Sequence, residues 1–190
     1  MLVAMKRETF DALDPGALAW EAIEPVMQAI RAKGPAAQSA EFAAGFAAQL
    51  TSGQRALLPF WVLYGHSRSG ITEFYDAIPD MPGQVAIWSK LKTAMRYFND
   101  DTILQLVEDM ETLYYNLVAE NPQGDVDRSR GRVEGTSEHK AQLTQFNLLL
   151  QEALPAAIPR IGMYIRNHPG EFVLIEEVGT IPQQSATRDE

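Results

Sequence analysis

Apolar residues recur at three- and four-residue intervals along most of the chain, the spacing that lines one face of an α-helix. Asp14 followed by Pro15 reads as an N-cap with a first-turn proline. Leu18, Ile23, Val26, Met27 and Ile30 then continue at helical spacing until Gly34-Pro35, with Pro25 placed to kink or split the helix. An alanine-rich helix follows from about Ala37 to Leu50, with Phe42, Phe46 and Leu50 on one side. Thr51-Ser52-Gly53-Gln54 has the form of a capping box and opens the apolar run Ala56 to Tyr64, with Pro59 inside it. Gly65 to Gly70 reads as a loop, and Ile71 to Ile78 as a short helix stopped by the Pro79 to Gly83 punctuation.

Two amphipathic patterns come next. Val85, Trp88, Leu91, Lys92, Met95 and Phe98 mark the face of the first, and Leu106, Met110, Leu113 and Leu117 that of the second, which starts at an Asp100-Asp101 cap. Asn121 to Thr136 is polar and reads as a loop. Ser137-Glu138-His139-Lys140 opens a helix to Leu154, and Pro155 and Pro159 introduce a last one ending near Asn167. Glu171 to Val178 reads as one short extended C-terminal segment, and residues 179–190 as a flexible polar tail. Internal repeats, long heptad runs and strand–helix alternation are all missing from the pattern. The expectation is an all-α protein, an irregular multi-helix bundle of about seven helices forming one domain over residues 1–190.

Composition narrows the chemistry. The chain has 190 residues, 46% of them hydrophobic, enough for a packed core without staples. It contains no cysteine, which removes disulfides, thiolate nucleophiles and cysteine-ligated metals. The first ten residues include Lys6, Arg7 and Glu8 and lack the apolar run of a signal peptide, and no stretch has membrane-spanning length, so a cytoplasmic location is expected.

The formal net charge is −9, a balance that disfavours direct binding to nucleic acid or acidic membranes. It is also uneven. Between Tyr97 and Asp127 lie Asp100, Asp101, Glu108, Asp109, Glu111, Glu120, Asp125 and Asp127, with no Lys or Arg among them. These carboxylates are the candidate partner-binding face, although a merely solubilising face has the same signature. Arg128, Arg130 and Arg132 interrupt the acidity just beyond.

Catalytic motifs are sparse. Gly65-His66-Ser67-Arg68-Ser69-Gly70 resembles the Gly-x-Ser-x-Gly nucleophile elbow of a hydrolase, with Ser67 as nucleophile and His139 or His168 as base, but Ser69 stands where the second glycine belongs. Neither His139 nor His168 has a second ligand at helical metal-site spacing, and the carboxylate pair Glu73 and Asp76 lacks a second half. No catalytic residue, metal ligand or cofactor is assigned. Trp61, Tyr64, Phe74 and Tyr75 form a candidate small-molecule pocket.

Leu50-Thr51-Ser52-Gly53-Gln54-Arg55 through Trp61 and Leu63, the segment Ser69-Gly70-Ile71-Thr72-Glu73-Phe74-Tyr75, and Tyr164-Ile165-Arg166-Asn167-His168-Pro169-Gly170-Glu171-Phe172 together resemble a bacterial helical family, the DNA-mimic-protein-like family, over residues 50–172. The chain departs from that pattern where Arg68-Ser69-Gly70-Ile71 replaces the family's Asn-Gly-Gly-Phe turn. The resemblance implies an all-helical fold, and on physical grounds the shared residues read as structural. It also implies a non-enzymatic role in which acidic side chains, placed like DNA phosphates, occupy a basic DNA-binding or regulatory protein. A homodimer stays open.

Overall fold

The structure, a computed structural model, describes residues 2–81, 86–120 and 136–177. The chain opens with strand β1 (Val3–Lys6) and continues through α1 (Arg7–Ala12), α2 (Pro15–Glu21), α3 (Glu24–Ala32), α4 (Ala40–Gln49), α5 (Ser52–Ser67), α6 (Ile71–Ala77), α7 (Ile87–Tyr97), α8 (Asp101–Glu120), α9 (Ser137–Asn167) and strand β2 (Val173–Glu176). The architecture is mostly helical, as the pattern predicts. No described helix is long and apolar enough to cross a membrane.

Local chemistry sets most of the boundaries. Asp14 accepts hydrogen bonds from the N–H groups of Gly16 and Ala17, starting α2. Pro25 occupies the first turn of α3, where its missing N–H costs nothing, so it starts a second helix rather than kinking the first. Thr51 and Gln54 complete the capping box of α5 in both directions. Asp100 caps α8 by accepting from the Ile103 N–H.

The structure departs from the pattern in three places, the first two at prolines and glycines. Pro59 lies within α5, which runs on through Gly65 and His66 to Ser67 instead of breaking into a loop. Pro155 and Pro159 both lie inside a single 31-residue helix, α9, rather than opening a new one. Both sit on its exposed side, so the carbonyls that lose an N–H donor can face water. The third departure is β1, which pairs in parallel with β2 in the register Val3 to Val173 and Lys6 to Glu176, so the C-terminal extended segment is half of a two-stranded sheet.

Packing joins α2 to α9, α5 to α7, α7 to α8, and α8 back to α9. Leu18, Ile23, Leu57, Phe60, Leu91, Val107, Met110 and Ile165 are fully buried in one contiguous core. The α2–α9 contact is close enough that a Cβ on Gly162 would stand 1.7 Å from the Pro15 carbonyl oxygen.

The segments that carry the family resemblance meet in space. Thr51 donates its hydroxyl proton to the Glu171 carbonyl, and the buried Gln54 side chain donates to the Phe172 carbonyl at 3.3 Å. Phe172 closes an aromatic cluster with Tyr97, Phe98 and Tyr164, while His168 stacks on Tyr164. Gly70 has φ of 128°, a conformation that suits glycine, and Asn147 supplies the cap its missing side chain cannot, accepting from the Ile71 N–H at 2.6 Å. These residues do structural work.

Candidate functional site

The stretch from Tyr97 to Asp127 holds no cation of its own, but the fold brings cations to it. From α7, Lys92 pairs with Glu111 at 2.6 Å and Arg96 with Glu108 at 3.2 Å. From α9, Arg160 pairs with Asp100 at 2.5 Å, and His139 lies 3.5 Å from Glu120. Asp100 is buried as well. Asp109 accepts a hydrogen bond from the Gln105 amide. Among the described residues, Asp101 and Asp109 are the exposed acids of this set with neither a Lys or Arg nor a His beside them, exposed Glu120 has only the His139 ring, and Asp125, Asp127 and the arginines 128, 130 and 132 lie outside the described residues. Three of the eight carboxylates, Asp100, Glu108 and Glu111, therefore serve as an inter-helix clasp.

The four aromatics of the candidate pocket divide into two clusters. Trp61 and Tyr64 pack with Trp20 and Phe60, while Phe74 and Tyr75 pack with Trp88 and Tyr114. Phe74 and Tyr75 are fully buried, and the Tyr75 hydroxyl donates to the Met110 carbonyl at 2.7 Å. Burial raises the Tyr75 pKa well above the usual phenol range. Trp61, Phe74 and Tyr75 are core, and Tyr64 is half-buried against it.

Ser67 occupies the last turn of α5, not a strand-to-helix elbow. Its Oγ is buried and has no hydrogen-bond partner among the described residues, so neither His139 nor His168 is placed to take its proton. The described residues contain no group of three potential metal ligands. Asp76 is held above the usual carboxylate range by partial burial and then by the nearby Glu73, a repulsive pairing rather than a built site.

An apolar feature with the character of a site was not apparent from the sequence. Beneath α4 lies a cleft of about 290 Å³, walled by α3, α4, α5 and α7. Its walls come from Met27 and Ile30 of α3, Phe42, Ala43, Phe46 and Ala47 of α4, Leu58, Pro59 and Val62 of α5, and Ile87 of α7, with Ala37, Leu50 and Met81 completing the apolar surface. None of Trp61, Tyr64, Phe74 or Tyr75 lines it.

The spacing that produces the cleft is visible in hindsight. In α4, Phe42, Ala43, Phe46 and Ala47 share one face, and the two phenyl rings stack 5.3 Å apart. That face is only half-buried, as are Met27, Ile30, Leu58, Val62 and Met81 opposite it. A close-packed core leaves few such gaps, so α4 roofs apolar surface that it does not fill. The two charged residues of the lining, Arg55 and Lys90, are both exposed and both cationic. Half-buried apolar walls with a few polar groups at the edge are the usual build of a small-molecule site.

Neither a family model, nor a curated protein, nor a solved structure matches this chain.

Proposed function

We propose that the chain is a cytoplasmic, non-enzymatic binding protein that takes a small apolar molecule into the cleft beneath α4. The observation that carries this reading is the cleft itself, about 290 Å³ in volume and apolar at thirteen of its fifteen lining residues. A ligand entering it buries the half-exposed faces of Phe42 and Phe46 and gains the hydrophobic stabilisation that α4 forgoes. The volume lies just below the range of about 300–1,000 Å³ for ligand pockets, so the occupant is small.

The test is titration with a neutral, environment-sensitive apolar dye against wild type and Ala43→Trp. The indole fills the cleft from its α4 wall. Saturable one-site binding that the substitution abolishes, with helical content retained, supports the reading. Binding that Ala43→Trp leaves unchanged contradicts it.

A second reading, an acidic interaction protein that occupies a basic DNA-binding or regulatory partner, draws on the resemblance and on the two exposed, unpaired carboxylates Asp101 and Asp109. Both stand on the outward side of α8, eight residues and about 12 Å apart at 1.5 Å per residue. Because Glu108 and Glu111 already hold Arg96 and Lys92, reversing them would disturb the α7–α8 contact. Asp101→Lys with Asp109→Lys is the cleaner probe. Electrostatic docking requires association that weakens steeply with ionic strength and with this double reversal, while association indifferent to both removes this reading.

A further inference from the structure

We propose, building on the binding function above, that the cleft's occupant is a small amphipathic carboxylate, its hydrocarbon part beneath α4 and its head group held by Arg55 and Lys90. Among the described residues, the two charged side chains that line the cleft are cations, and no carboxylate joins them.

Among the described residues, neither cation is spent on the fold. Among the described residues Arg55 has no ion pair, and its guanidinium makes only a long 3.4 Å hydrogen bond to Ser52 Oγ. Lys90 likewise has no ion pair there. The contrast within α7 is direct, because Lys92 and Arg96 on the same helix each hold a carboxylate of α8. Two residues before Lys92, Lys90 lies on the side of α7 that borders the cleft.

The side-chain chemistry fits this placement. Lysine and arginine lay apolar stems along hydrophobic walls and keep their charged heads in water, so both can extend the cleft and still present charge at its mouth. A guanidinium offers a carboxylate two parallel N–H donors, and an ammonium adds a mobile point charge. The net charge of −9 repels anions at long range, so selection of an anion falls to these two local cations. The volume of about 290 Å³ restricts the tail to a short chain or a single ring system.

The experiment is displacement of the bound neutral dye from the full chain by octanoate, octan-1-ol and octyl phosphate, each below its micelle-forming concentration. It is run on wild type, Arg55→Gln, Lys90→Gln and the double variant. Octanoate is expected to displace the dye at roughly three- to tenfold lower concentration than octan-1-ol, the range for two solvent-exposed charge contacts. That preference should fall in each single variant and vanish in the double, with the octan-1-ol curve unmoved. Equal displacement by acid and alcohol, or a preference that survives in the double variant, overturns the carboxylate assignment and leaves the binding function intact. Stronger displacement by octyl phosphate than by octanoate also overturns it, in favour of a phosphate head. Failure of the dye to bind, or of every compound to displace it, overturns both.

Discussion

A single carboxylate, Asp100, begins α8 and ties it to α9: Oδ1 accepts from the Ile103 N–H at 3.1 Å while Oδ2 lies 2.5 Å from Arg160 Nη2. The group is buried, whereas Arg160 is half-exposed, so the two ends of the pair are not equivalent. Asp100→Ala loses both the cap and the pair and should cost about 2 kcal/mol in urea denaturation. Asp100→Asn retains a capping oxygen and should lose less than about 1 kcal/mol. Equal losses in the two variants would mean that the charge, not the cap, dominates.

The clasp between α7 and α8 should be graded by burial. Lys92 and Glu111 retain 25% and 23% of their side-chain exposure, against 59% and 40% for Arg96 and Glu108. A double-mutant cycle on Lys92–Glu111 should give a coupling of about 1 kcal/mol, while Arg96–Glu108 should give close to zero. The reverse order would show that exposure does not govern these pairs.

Two glycines offer a contrast in backbone packing. Gly162→Ala places a Cβ against the Pro15 backbone and forces α2 from α9, at a cost of about 3 kcal/mol or more. Gly45→Ala, inside α4 with nothing within 4 Å of the new Cβ, should stabilise by up to about 1 kcal/mol. Thermal denaturation of the two variants checks both signs.

Alkaline pH should unfold the protein through its buried phenol. Burial raises the folded-state pKa of Tyr75, so above the unfolded value of about 10 the unfolded chain releases a proton that the folded chain keeps. The stabilising contribution is thus complete below pH 10 and falls as pH rises beyond it. Tyr97 and Tyr114, raised chiefly by burial too, act in the same direction. Tyr75→Phe should flatten this loss, and tyrosinate absorbance should show the wild-type Tyr75 ionising together with unfolding. A Tyr75→Phe stability profile that falls as steeply as wild type would assign the effect elsewhere.

What could be read from the sequence was whatever short-range chemistry decides. Asp14-Pro15, the Thr51–Gln54 box and the His168-Pro169 stop act within a few residues, and each marks its helix end in the structure. Pairings over long separations were hidden. Val3 to Lys6 is too short to register as a strand without its partner 170 residues away. The acidic stretch looked unopposed because its cations come from other helices, Lys92 from nineteen residues before Glu111 and Arg160 from sixty residues after Asp100.

The cleft was hidden for a different reason. The aromatics singled out, Trp61, Tyr64, Phe74 and Tyr75, are large apolar residues, and such residues are as useful in a core as in a pocket. The cleft's wall mixes Phe42 and Phe46 with small and flexible side chains, Ala43, Ala47, Met27 and Met81, and whether these enclose a gap depends on how far α4 stands from α5. Spacing between helices is a tertiary property.

Methionine-methyl NMR during titration with neutral octan-1-ol tests the central claim most directly, because methionines stand both in the cleft and away from it. Met27 and Met81 line the cleft, Met95 and Met110 are buried elsewhere in the core, and Met163 is exposed on α9. Binding beneath α4 requires saturable shifts of the Met27 and Met81 methyls with those of Met95, Met110 and Met163 unmoved. Shifts confined to Met110 or Met163, or no saturable shift at all, would contradict a ligand site in this cleft.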